Sequence, residues 1–146
     1  MVLAADGNPA ARPVTYSPRL AMSKQLMNIV LPRLAQRLNR QLRRYRAGEL
    51  NDNEFSRKFE DLLQQQFAWL ANQGIPEVEA AIAVHGAVLV LSSPGLRAEA
   101  AEQSLPLEVV EYQAVRAAAS DIAQNYKADE RRMVRRISAI LASYSE

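Results

Sequence analysis

Arg33, Arg37, Arg40 and Arg44 follow one another at spacings of 4, 3 and 4, flanked by Arg43 and Arg46, and no acid interrupts them. That spacing predicts one face of a helix. A guanidinium donates in a fixed fork that matches phosphate and carboxylate oxygens, so a row at helical pitch has the chemistry to track a nucleic-acid backbone, an anionic membrane or an acidic protein. Arg33, Arg37, Arg40, Arg43 and Arg44 are therefore the candidate anion-binding residues. The competing reading is a solvated face, or one that answers acids elsewhere in the chain. Aromatic residues do not interleave with the stripe, which argues against a platform for stacking single-stranded bases.

A second group consists of polar residues standing where apolar ones are expected. His85, the only histidine, lies between Ile82 and Leu89; Gln66 interrupts the stripe of Phe55, Phe59 and Leu62; Glu111 lies between Leu107 and Val115. Buried polar groups need partners, so these three are expected to form a buried polar cluster in which Gln66 or Glu111 satisfies His85. Without spaced companions a lone histidine makes neither a triad nor a metal site, and its expected role is structural. No catalytic residue, metal site or cofactor is assigned.

Enzyme templates fail on inspection. There is no glycine-rich phosphate loop, no nucleophile elbow, no paired-histidine motif and no Glu-x-x-His pair. Glu77 with Glu79, Glu60 with Asp61, and Glu99 with Glu102 read as helix-surface charges rather than acid and base pairs. The absence of cysteine excludes a disulfide framework and thiol chemistry.

The elements that must position these residues are all helical. Ser23 opens a run whose leucines, Leu31, Leu34, Leu38 and Leu42, sit opposite the arginines; Pro32 either kinks this helix or divides it, and Gly48 stops it. Asn51 and Glu54 have the spacing of a capping box, and Gly74 ends the helix they begin. From Pro76 to Ser92 the chain is apolar on every face of a helical wheel, which predicts a helix buried all round. A short helix follows to Gln103, a longer one from Leu107 to about Asn125, and a last one capped by Asp129. The aromatic helix from Phe55 to Leu70 is expected to be the main partner of the apolar one, filling the room left by Gly86 and its neighbouring alanines.

These readings combine into an all-α fold: a single-domain bundle of five or six helices around the central apolar helix, covering residues 18–146, with residues 1–17 as a flexible arm. The 146 residues suffice for one core. The longest uncharged apolar run, Ala80 to Leu91, is 12 residues, against about 20 for a membrane span, and the N-terminus lacks a signal-like pattern. The expectation is a cytoplasmic protein without a membrane span. Apolar residues from Leu26 to Leu31 exceed what one narrow face buries, so that segment either folds back on the core or forms a homodimer.

The net charge of +2 conceals a division: nine bases against one acid in residues 1–48, and five bases against fourteen acids in residues 49–130. Such a division marks a polyanion-binding surface or two halves that attract one another. Three functions are compatible with the whole. The first is a non-catalytic interaction or scaffold protein acting through helical surfaces. The alternative is a nucleic-acid-associated protein gripping the phosphate backbone with the Arg33 to Arg46 helix. A small-ligand binder or an enzyme without a recognisable motif comes third.

Overall fold

The computed structural model describes residues 18–144, with side chains from residue 24 onward; the N-terminal arm expected over residues 1–17 lies outside the described residues. Six helices follow in order: α1 (Pro18–Arg46), α2 (Asp52–Asn72), α3 (Glu77–Leu91), α4 (Ser93–Gln103), α5 (Leu107–Tyr126) and α6 (Glu130–Tyr144). They pack as one helical bundle, and no strand occurs among the described residues.

Local chemistry sets most of the boundaries. At the start of α2 the Asn51 side chain accepts the Glu54 amide at 2.8 Å while the Glu54 carboxylate accepts the Asn51 amide at 2.9 Å, which closes the capping box. Gly48 and Gly74 have φ of +80° and +79° after α1 and α2, where a side chain would be strained. Beyond Gly74 the Ile75 amide donates back to the Leu70 carbonyl at 3.1 Å. Asp129 accepts the Arg131 amide at 3.0 Å at the start of α6. Pro32 divides nothing: α1 runs through it, with the ring on an exposed face where the Asn28 carbonyl it leaves unbonded has access to water. The short helix begins earlier than its composition suggests, because Pro94 suits a helix's first turn and only Ser92 separates α3 from α4.

Helix α3 is the axis. Ala80 to Val84, Gly86, Ala87 and Leu89 are buried, and α3 is in contact with every other helix. Its most extensive neighbours are α1 and α6, with α2 behind them. That corrects the expected pairing with the aromatic helix, and Gly86 gives the reason: a Cβ there would stand 2.8 Å from Ile140 Cδ1, so the glycine admits α6. Leu34, Ile82, Ile122 and Ile137 are fully buried, each contributing about 1.5 to 3 kcal/mol relative to exposure.

The Leu26 to Leu31 segment folds back. Leu26, Met27 and Val30 are buried in the chain's own core and Leu31 is half-buried, so the apolar surplus that suggested a homodimer there is already covered. At the far end of the chain Tyr144 donates to the Asn28 side chain at 3.1 Å, tying α6 to α1.

One ion pair is sheltered. Arg136 on α6 donates two bonds, 2.7 and 2.6 Å, to the two oxygens of Glu79 on α3, and the side chains are only 14% and 12% exposed. Both residues read as surface charges on their own helices. Where α3 and α6 pack they face each other, and loss of one partner from such a pair typically costs about 3 to 5 kcal/mol.

Helices α2, α1, α6 and α5 thus surround α3 in that order, through the contacts of α1 with α2 and of α5 with α6 and the Tyr144 to Asn28 bond. The ring is not closed: α2 and α5 do not pack extensively, and a cleft opens between them with α3 as its floor. Among the described residues no single helix is long and apolar enough to cross a membrane.

Candidate nucleic-acid interface

The arginine helix and the first half of α2 form an antiparallel hairpin whose turn lies near residue 49. Residues equidistant from that turn are brought side by side. Tyr45 accordingly stacks on Phe55, with ring centroids 4.8 Å apart, and donates its hydroxyl to Asp52. That hydrogen bond, together with the carboxylate's charge, holds the Tyr45 phenol above its ordinary value. About one turn further on, Lys58 lines a pocket together with Arg40 and Arg37.

The stripe is thereby sorted into three environments. Arg33 is half-buried, its guanidinium 4.0 Å over the Trp69 ring and its Nε without a hydrogen-bond partner, so it is a packing residue as much as a charge. Arg43, Arg44 and Arg46 occupy the last turn of α1, where cations are favoured by the helix dipole. Arg44 also contacts Glu49 and Gln41, both at 3.3 Å.

Arg37 and Arg40 have neither explanation. They line a small pocket of about 210 Å³ with Lys58, Gln41 and Gln65, and Asp61 is its only acid. Among the described residues none of Arg37, Arg40, Arg43, Arg46 and Lys58 has an ion-pair or hydrogen-bond partner. Apart from Glu49 on Arg44, no acid among the described residues forms an ion pair with the stripe. Three cations beside one acid repel one another, and an anion in the pocket would relieve that repulsion.

The expected polar cluster does not assemble. Gln66 is fully buried on α2 and neither of its amide atoms has a partner; Glu111 is half-buried and makes no hydrogen bond among the described residues. His85 binds elsewhere. Its Nδ1 lies 2.9 Å from the Ala81 carbonyl and its Nε2 3.2 Å from the Asp121 carboxylate on α5. Both partners are acceptors, so in the neutral ring one of these contacts lacks a proton.

Nor is His85 a core residue. Its side chain is 25% exposed and opens onto the cleft between α2 and α5, a space of about 740 Å³ whose charged lining is acidic: Glu60, Asp61, Glu77 and Asp121. No serine or threonine lines the cleft, so the His85 and Asp121 pair has no nucleophile beside it. The described residues contain no group of three or more acids or histidines able to hold a metal. The basic pocket and the acidic cleft therefore lie on either side of α2, with Asp61 lining both.

Two residues here lacked a sequence signal of their own type. Lys58 stands alone in composition, but the hairpin arithmetic about residue 49 places it opposite Arg40, and the glycine and capping box that define the turn were visible. Asp121 was not obtainable that way, since it depends on how α5 crosses α3. No protein-family model, no curated protein and no solved structure matches this chain.

Proposed function

We propose that the protein is a nucleic-acid-associated protein that grips the phosphate backbone along the α1 and α2 seam with little base preference. The observation that carries this reading is the convergence of Arg37, Arg40 and Lys58 on one pocket that holds a single acid, Asp61, and no ion pair to any of the three. Exposed Arg43 and Arg46 extend the row along the same helix. Phosphate contacts of this kind supply affinity and register but no sequence readout. The seam offers little aromatic stacking surface, since Trp69 is covered by Arg33 and Tyr45 is already stacked on Phe55 and bonded to Asp52. A cytoplasmic setting suits such a partner.

With about four phosphates engaged, the logarithm of the affinity for a duplex oligonucleotide falls against the logarithm of salt with a slope near −4. Fluorescence anisotropy on labelled DNA and RNA duplexes of mixed sequence measures it. Arg37→Gln, Arg40→Gln and Lys58→Gln each reduce the magnitude of the slope by about 1 and weaken all sequences alike. No binding at low salt, or a triple variant that binds as the parent does, refutes the proposal.

A further inference from the structure

The outward face of α5, with the residue just before it, carries an apolar patch that nothing among the described residues covers. Five large hydrophobic residues are exposed among the described residues: Ile29, Tyr45, Leu105, Val109 and Tyr112. Tyr45 is engaged with Phe55 and Asp52, and Ile29 stands alone on α1. The other three fall together, at 37%, 39% and 53% exposure, spaced 4 and 3 apart, with Arg116 continuing the row four residues later. Val109, Tyr112 and Arg116 share one face of α5 at the spacing of a helix seam made to meet another helix, while Leu105 adds to the patch from the extended segment before the helix. The seam ends at Ala119, which is buried. A shallow depression of about 470 Å³ runs along it, lined by Glu108, Val109, Tyr112, Gln113 and Arg116.

The charges say what fits. Glu108 precedes Tyr112 by four residues and Arg116 follows it by four. A two-fold axis through Tyr112 lays two copies of α5 antiparallel and sets Glu108 of each opposite Arg116 of the other. A parallel arrangement sets like charge against like at both positions. Glu108 has no ion-pair partner among the described residues, and Arg116 has only Glu130 at 4.0 Å, with both of those side chains well exposed, so both are free to bridge. A stripe that is self-complementary under a two-fold rotation is what an isologous interface requires.

We infer that this face of α5 docks a second copy of the same chain, antiparallel, with Tyr112 at the dyad and reciprocal Glu108 to Arg116 bridges. The interface is separate from the basic seam and does not rest on it. A seam of about three turns covers less than the roughly 800 Å² per partner of a standard interface, so the dimer forms with a Kd in about the micromolar range.

Sedimentation velocity on the full chain, from about 5 to 500 μM, tests this range. The expected result is a concentration-dependent monomer to dimer shift. Glu108→Arg or Arg116→Glu alone weakens it by about tenfold or more, Tyr112→Asp abolishes it, and the double variant E108R with R116E restores it, because exchanged charges still meet under the same two-fold. Unchanged thermal midpoints show that the variants fold. A monomer at every concentration, a dimer indifferent to the single exchanges, or a double variant that stays monomeric overturns the inference.

Discussion

Gln66 is the residue at which the core departs most from what burial ordinarily demands. It is completely enclosed on α2, level with Leu62 and Leu70, and neither its amide nitrogen nor its oxygen has a partner. A buried polar group left unmade costs about 1 to 3 kcal/mol. Methionine has a similar volume, no group to satisfy and enough flexibility to fill the space. Gln66→Met therefore raises stability by about 1 to 3 kcal/mol, read as a higher urea midpoint with an unchanged m value. A lower midpoint would mean that the amide is satisfied after all. The position was conspicuous in the sequence because it broke an apolar stripe, but its expected partner was not, since periodicity says which side of a helix is buried and not what stands opposite. His85 makes the same point in reverse: it sits on an apolar helix, yet the opening between α2 and α5 turns its edge toward solvent and Asp121.

Helix α3 was legible as an element and illegible as a partner. Its boundaries follow from Pro76 and Ser92, and its burial from the absence of a polar face. Which helix lies on which side is a matter of crossing geometry, and the small residues Ala80, Ala81, Ala83 and Gly86 do not distinguish a neighbour rich in phenylalanine from one rich in isoleucine. Glu79 and Arg136 escaped for that reason too, each facing outward on its own helix and inward on the pair. The glycine offers a direct test of the α3 and α6 contact. Alanine improves helix propensity by about 1 kcal/mol, but its methyl would meet Ile140 Cδ1 at 2.8 Å and Cγ2 at 3.1 Å, and Cγ2 belongs to a stiff β-branched side chain that is itself buried. Overpacking of this kind costs about 1 to 3 kcal/mol. Gly86→Ala is therefore expected to lower stability by about 1 kcal/mol, and Ile140→Val, which removes Cδ1, to cost less in the alanine background than in the parent. Additive effects in that double-mutant cycle would mean that the two positions do not touch.

At the scale of the molecule, the division of charge has two physical readings that predict opposite responses to salt. If the basic first third and the acidic middle hold each other together, screening destabilises the fold. The arrangement of the helices favours the other reading, because the cations gather along the α1 and α2 seam while acids line the cleft on the far side of α2. Among the described residues Arg44 with Glu49 and Arg116 with Glu130 are exposed pairs worth about 0 to 1 kcal/mol each, and the contact of His85 with Asp121 is a third, charged only when the ring is protonated. The fourth, Glu79 with Arg136, is sheltered and little affected by screening. Repulsion among Arg37, Arg40 and Lys58 is itself relieved by salt. Raising the ionic strength from about 0.05 to 0.5 M shortens the Debye length from about 14 to about 4 Å; across that change the thermal midpoint is expected to hold within about 3 °C or rise. Over the same range the affinity for a nucleic-acid duplex should fall by several orders of magnitude. Calorimetry and anisotropy on the same samples separate the two responses. A midpoint that drops by more than about 5 °C would show that the halves attract across the molecule, and would return the arginine stripe to the role of an internal counter-charge.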